Sequence, residues 1–254
     1  MLEGIDFSHW QGKAGRIDWD RVARSGDFFI LNATDGMFHL DPLFLEAWDE
    51  LSRRGKVLGA YHLLKLVEPV QAQIEWFAEA VRGRLRPGCL PPFCDIETSK
   101  IDEVLDQDGD HREEAYQTIM AFLEGLGEAF GVDPIIYISR RGVRHLSPWY
   151  AGLSRYKLWI MYRSMTAEVP LLPTTFTEWD FWQYTSDGDG KGKGFESVGL
   201  DLNRFNGTWQ QLGKLCNSWR VGRQIMLRKA VDSCLTKTEQ LRGELLFLKD
   251  EIKR

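Results

Sequence analysis

Cysteine is scarce in this chain: four residues in 254, at positions 89, 94, 216 and 234, with no C-x-x-C spacing. That usage argues against a disulfide framework or a thiolate metal centre and predicts reduced structural thiols. Histidine is sparse too. Its five copies show no H-E-x-x-H or other ligand spacing, so no metal and no cofactor are expected. The chain has no run of eighteen uncharged apolar residues that would form a membrane-spanning helix. It does not open with a basic segment followed by an apolar stretch, so no signal peptide is expected and any target outside the cytoplasm must be reached by another route. The net charge of −5 gives no case for a nucleic-acid partner.

The chain does contain enough apolar material for a large core, being 43% hydrophobic with ten tryptophans and 27% charged residues. Its length allows one large α/β domain with an appendage. Strand patterning is expected over residues 4–8, 28–33, 57–63, 92–97, 134–139, 157–162, 181–185 and 199–202. Helical periodicity falls over 18–25, 42–54, 70–82 and 113–130, with Asp108 or Asp110 able to cap the last. Strands alternating with helices imply parallel pairing through helical crossovers. After about Ser139 the strands crowd together and the helical pattern fades, which favours an α/β barrel with a strand-rich last third over a symmetric eightfold one.

The run Phe93-Cys94-Asp95-Ile96-Glu97 places two acids at strand spacing. Residues two apart share a face about 7 Å apart, so Asp95 and Glu97 face one side and Cys94 and Ile96 the other. Two carboxyls on one site resist ionising together, which can leave a proton donor beside an anion, and that division of labour suits cleavage of a glycosidic bond. Taken alone, such a pair also fits a solvated strand end leading into a helix cap. In barrels of this kind the chemistry sits at the C-terminal ends of the strands. The polar residues expected there are Asp6, Thr34, Asp35, Tyr61, His62, Asp95, Glu97, Tyr137, Trp159, Gln183, Tyr184, Asp201 and Asn203. Aromatic faces for sugar rings together with polar groups for hydroxyls suit a polysaccharide.

Several blocks in register carry a resemblance. Gly4-Ile5-Asp6-Phe7-Ser8-His9-Trp10-Gln11-Gly12, Ala33-Thr34-Asp35-Gly36, Gly59-Ala60-Tyr61-His62, Pro92 to Glu97, Leu158-Trp159-Ile160, Phe181-Trp182-Gln183-Tyr184-Thr185 and Asp201-Leu202-Asn203-Arg204-Phe205-Asn206-Gly207 together resemble glycoside hydrolase family 25, the Chalaropsis-type lysozymes common among phage endolysins. The resemblance spans roughly residues 3–207. It implies an incomplete TIM-like (β/α) barrel and N-acetylmuramidase action on peptidoglycan glycan strands. By position it makes Glu97 the general acid and Asp95 its partner, with Asp6 and Asp201 completing the acidic site. Asp35, Tyr61, Tyr137, Trp159, Gln183, Tyr184 and Asn203 are expected to contact substrate. The family segment usually reads Lys-Ala-Thr-Glu-Gly where this chain has Asn32-Ala33-Thr34-Asp35-Gly36, and His62-Leu63-Leu64-Lys65 departs from a more aromatic pattern. An enzyme of this type is expected to be made in the host cytoplasm and to act on the cell wall, after release through a holin lesion or carried on a virion. Competing readings are a chitinase-like hydrolase and a non-catalytic glycan-binding or virion structural protein.

Composition shifts near the end. Residues 208–254 hold ten Lys or Arg against five acids, and prolines, tyrosines and Gly-rich turns stop near Gly207. A catalytic unit over 1–210 and a helical tail over 211–254 are therefore expected. Leu227, Val231, Cys234, Thr238, Leu241, Leu245, Leu248 and Ile252 follow a 4-3-4-3 spacing that suits self-association, packing on the barrel or contact with an anionic envelope. Asp106-Gln107-Asp108-Gly109-Asp110 is expected to be a solvated loop rather than a calcium site. The Gly- and Lys-rich stretch over 186–194 is expected to be a mobile hairpin loop beside the groove, since it lacks the strand and helix of a phosphate cradle.

Overall fold

The computed structural model describes residues 1–13, 15–105 and 110–219. The 4-3-4-3 seam and most of the tail lie outside the described residues. In chain order the elements are β1 (Leu2–Phe7), α1 (Trp19–Arg24), β2 (Phe28–Asp35), β3 (His39–Leu40), α2 (Phe44–Arg53), β4 (Val57–Leu63), α3 (Val70–Ala80), β5 (Phe93–Ile96), α4 (Thr98–Leu105), α5 (Arg112–Phe130), β6 (Ile135–Ser139), α6 (Arg140–His145), β7 (Lys157–Met161), β8 (Phe181–Thr185), β9 (Asp201–Phe205) and α7 (Trp209–Cys216).

Eight strands close a barrel in the order β1-β9-β8-β7-β6-β5-β4-β2, with β1 pairing back onto β2 and β3 appended to β2. Within the barrel all neighbours run parallel except β9, which is antiparallel to both β1 and β8; the appended β3 is antiparallel to β2. The last strand therefore begins at the end of the barrel where the others finish. The sequence pattern placed it at 199–202, but pairing runs from Asp201 to Phe205.

Strand alternation divides the side chains into two layers. Ile5, Phe7, Phe29, Leu31, Leu58, Cys94, Ile96, Ile136, Ile138, Leu158 and Ile160 pack outward beneath the helices. The helices supply matching stripes: α2 buries Phe44, Ala47, Trp48 and Leu51, at the i, i+3, i+4, i+7 spacing of one face. Leu2, Phe28, Ile30, Phe93, Ile135, Trp159, Phe181 and Phe205 point inward and fill the lower half of the lumen. Phe93 packs edge-on to Trp159 at 5.4 Å and to Phe181 at 5.5 Å. Two glycines make room for these rings: a Cβ on Gly4 would lie 2.3 Å from the Phe28 ring, and one on Gly59 would lie 2.7 Å from that of Phe93.

The expected boundary between residues 210 and 211 falls inside α7. Packing ties the start of the expected tail to the barrel. Thr208 caps this helix, accepting a hydrogen bond from the Gln211 N–H. Leu212, Leu215 and Cys216 then close the lower end of the lumen. Trp219 is fully buried, and its indole N–H donates to the Cys89 carbonyl at 3.0 Å. Charge marks only the solvent side of α7, while its apolar side belongs to the barrel. The Gly-rich stretch over 186–194 is held by backbone bonds from Gly188 to Leu200, Gly190 to Val198 and Phe195 to Gly190, so the expected loose hairpin is tied to the segment preceding β9.

Candidate active site

The upper half of the lumen is polar. Asp6 and Asp201 are direct register partners because β9 runs against β1. Asp6 Oδ1 accepts hydrogen bonds from Asn203 Nδ2 at 2.7 Å and Gln183 Nε2 at 3.1 Å. Each amide is oriented from its other end: Trp159 Nε1 donates to Asn203 Oδ1 at 2.8 Å, and the Tyr137 hydroxyl donates to Gln183 Oε1 at 2.9 Å. With their oxygens occupied by donors, both amides must turn their N–H groups toward Asp6.

Burial raises the pKa of Asp6 above the ordinary carboxylate range, and the bonds from Asn203 and Gln183 partly oppose the shift. Asp201 is raised by burial and then by the charge of Asp6, while the Arg163 guanidinium draws it down. Two facing carboxyls in such a place resist ionising together.

Asp95 lies on β5 between inward Phe93 and the mouth of the cleft. Its carboxyl is held well above the usual range by burial first, then by the charges of Glu97, Asp6, Asp201 and Asp35. Among the described residues its Oδ1 is buried without a hydrogen-bond partner. Glu97, one residue past the strand, is exposed and accepts from the Ser99 hydroxyl at 3.0 Å. The two acids therefore differ: one is buried with an unpartnered oxygen, the other open to solvent. Burial and the surrounding acids push the Tyr61 and Tyr137 phenols well above their ordinary pKa, which keeps both as neutral hydroxyls.

A cleft of about 420 Å³ joins these groups, lined by Ser8, His9, Trp10, Asn32, Asp35, His39, Tyr61, Asp95, Glu97 and Asp201 among others. Asp35 reaches it through an irregularity in the β2–β4 register between Asn32 and Thr34. The extra residue puts Asn32 and Asp35 on the cleft side although they are three apart. Lys65 Nζ lies 3.1 Å from Asp35 Oδ1, a charge contact outside hydrogen-bond geometry. The two departures in sequence, at 32–36 and 62–65, thus meet as one ion pair that supplies a cation where Asn32 does not.

Four residues expected to contact substrate lie elsewhere. Trp159 is 2% exposed and sits beneath Tyr61 and Tyr137 as part of the packed floor. Tyr184 follows inward Gln183 by one residue and so faces outward, where its hydroxyl donates to Glu3 at 3.1 Å and Arg204 covers its ring. Gln183 and Asn203 are buried and reach Asp6 rather than the cleft mouth. Thr34 and His62 also face away, with His62 held between the Thr34 hydroxyl and Gln73. Burial lowers the pKa of this imidazole to about 4.

The expected set omitted Trp10, which is 77% exposed at the cleft mouth. Ser8 and Gln11 cap each other's ends of the turn His9–Gln11, so the intervening indole projects outward. Its ring lies 4.7 Å from that of His9, and His9 Nδ1 is 2.7 Å from Asp41 Oδ2. The signal was present in the Ser8-His9-Trp10-Gln11 block, where an aromatic stands three residues past a strand end.

A family model for glycosyl hydrolases family 25 matches residues 5–193, which includes Asp6, Asp95 and Glu97. The chain belongs to glycosyl hydrolases family 25. This family 25 enzyme is a glycoside hydrolase of the lysozyme class. It is 28% identical over 221 residues to Lysozyme M1 of Streptomyces globisporus, covering 85% of this chain and 72% of that one. The bacterial lysozyme of Streptomyces coelicolor superposes on the family 25 barrel with a TM-score of 0.71 at 26% identity, covering 85% of this chain and 97% of that one. The catalytic domain of the endolysin ply40, from bacteriophage P40 of Listeria monocytogenes, shares the fold, with a TM-score of 0.63 at 20% identity over 86% of this chain and 98% of that one.

Proposed function

We propose that this family 25 enzyme is an N-acetylmuramidase that cleaves the β-1,4 bond from N-acetylmuramic acid to N-acetylglucosamine in peptidoglycan, with Glu97 as general acid and Asp95 as its partner. The observation that carries this reading is the contrast between the two acids: Asp95 is buried with an unpartnered oxygen, and Glu97 opens into the same cleft. In the free enzyme burial favours the protonated form of Asp95, whose Oδ1 has no donor among the described residues. A sugar with a 2-acetamido group supplies the missing donor. Its amide N–H, set against Asp95 Oδ1, stabilises that carboxylate and releases the proton to Glu97, which loses water as the glycan covers it.

Glu97 then protonates the leaving glycosidic oxygen as the C1–O bond breaks. The acetamide oxygen, oriented by Asp95, closes on C1 to give a positively charged cyclic intermediate. Water, deprotonated by Glu97, opens that ring, regenerates the acetamide and returns the proton. Asp6 and Asp201, carrying one proton between them, keep the local negative charge low enough for Asp95 to ionise at the right moment. This route retains configuration at C1, whereas direct water attack inverts it.

The barrel shared with a phage endolysin supports the reading as a phage or prophage endolysin that is released to the wall. Expression inside bacteria is then expected to be harmless until a membrane-pore protein is co-expressed, with culture turbidity as the readout.

The decisive experiment is mass spectrometry of fragments released from purified peptidoglycan by the wild type and by Glu97→Gln. Fragments with reducing-end N-acetylmuramic acid from the wild type alone support the assignment. Reducing-end N-acetylglucosamine would reassign the bond, and intact glycan with retained binding would make the protein a glycan-binding module.

A further inference from the structure

The acidic cleft is not the largest hollow formed by the described residues. A hollow of about 670 Å³ lies beside it, between α4, α6 and the segment after β7. Its charge is the reverse of the cleft's. Arg140, Arg141, Arg144 and Arg163 line it, and Asp102 is its one acidic wall residue. Asp102 is already engaged by Arg141 Nη2 at 3.1 Å and by His145 Nδ1 at 2.6 Å. Arg140, Arg144 and Arg163 have no ion pair or side-chain hydrogen bond with any described residue, in a protein whose net charge is −5. An ordinary solvated helix face would answer its cations with acids one turn away. Here the three guanidinium groups border a concavity whose remaining wall includes Val143, Tyr150 and Tyr162. Planar forks arranged this way match carboxylates, and the apolar wall suits a peptide body.

The hollow adjoins the cleft along the chain that leaves β5. Thr98 and Ser99 directly follow Glu97 and form its near side, and the Ser99 hydroxyl donates to Glu97. On the far side Arg163 lies close enough to Asp201 to oppose the rise in that carboxyl's pKa. A ligand here would belong to the molecule in the cleft. A muramic acid residue carries, on its lactyl ether, a stem peptide bearing several carboxylates. We propose that this arginine-lined hollow binds the carboxylates of that stem peptide, so that the enzyme selects peptide-bearing glycan over bare glycan. The inference rests on the muramidase reading and names what that reading leaves open, the substituent recognised next to the scissile bond.

The test uses peptidoglycan with its peptides intact or stripped by an amidase, each freed of teichoic acid and compared with wall that retains it, with wild type, Arg140→Gln/Arg144→Gln and Arg163→Gln. Wild type is expected to show kcat/KM about tenfold higher on the intact polymer, mostly through KM, with the preference falling as salt rises. The double variant should bring that ratio toward one while melting as the wild type does. Equal rates on both polymers, or a preference that survives in the variants, overturns the proposal. Calorimetric titration with the soluble stem peptide tests the hollow without catalysis: binding to wild type that is lost in the double variant supports it, and no binding to wild type overturns it. A rate gain that requires teichoic acid instead would assign the hollow to phosphate and also overturn it. Cleavage of neither polymer alongside intact peptide binding would count against the muramidase reading and not against the hollow.

Discussion

The lower and upper halves of the barrel lumen are built by the same strands at the same two-residue period, yet they do opposite work. Below, Phe28, Phe93, Trp159 and Phe181 interlock and α7 seals the end. Above, Asp6, Asp95 and Asp201 are desolvated and mutually repelling. The lower half stabilises the fold by burying apolar area, and the upper half costs stability by burying charge. The floor meets the site at Trp159, whose ring packs on Phe93 and whose indole N–H begins the hydrogen-bond path to Asp6. Charge held at this density persists because the aromatic layer beneath fixes it.

Substitutions in the two layers should separate activity from stability. Asp95→Asn keeps the shape of the side chain and removes its charge. Loss of activity by about 10³- to 10⁴-fold in kcat, about 4–5.5 kcal/mol of transition-state stabilisation, is expected with no fall in Tm. Phe93→Ala should do the reverse. Removing a fully buried ring and its edge-on contacts costs about 3–5 kcal/mol of stability, while kcat per folded molecule stays within a few-fold. Denaturant melts alongside turnover on purified peptidoglycan read both. A Phe93→Ala enzyme that is folded but inactive, or an Asp95→Asn enzyme that melts as low as Phe93→Ala, would break the division between the layers.

Much of this division can be read from strand period. Asp95 and Glu97 two apart, alternating with Cys94 and Ile96, determine which side chains enter the lumen. The same rule separates Gln183 from Tyr184, since neighbours in a strand cannot both face inward, and the motif alone conceals that. Depth is harder to read. Trp159 and Gln183 both point inward, but only the stacking of layers across six other strands sets how far below the mouth each one lies. The bulge that brings Asp35 into the cleft depends on pairing with β4, and the reversal of β9 depends on pairing with both neighbours, so neither has a local signature. At the chain's far end, charge composition hid an apolar stripe, because Leu212, Leu215 and Trp219 lie among residues whose other faces are polar. The arginine-lined hollow drew on segments far apart in sequence, α6 and the stretch after β7, and no motif joined them.

A smaller effect should appear in the pH dependence of stability. The folded protein holds Asp201 above its ordinary value, so between about pH 4 and that raised value it binds a proton that the unfolded chain does not. Stability therefore falls as pH rises through this window. Asp201→Asn cannot ionise and should lose that slope. It is expected to melt higher than the wild type by about 2–4 °C at mildly alkaline pH, with the difference vanishing near pH 4. Parallel slopes for the two proteins would mean that Asp201 does not contribute to the cost of the upper layer.

The smallest effect expected belongs to Trp10, which stands at the cleft mouth and contributes to neither layer. Its ring is largely exposed and lies against His9, so removing it deprives the core of little. A sugar ring seated on an indole gains about 1 kcal/mol from the apolar contact, which corresponds to a few-fold change in affinity. Trp10→Ala should therefore raise KM about three- to tenfold with kcat and Tm nearly unchanged, and Trp10→Phe should recover part of the loss. Steady-state kinetics on soluble glycan fragments distinguish the alternatives. A fall in Tm with KM unaltered would assign Trp10 to the support of the turn His9–Gln11, and the acids would then bind glycan without an aromatic platform at that edge.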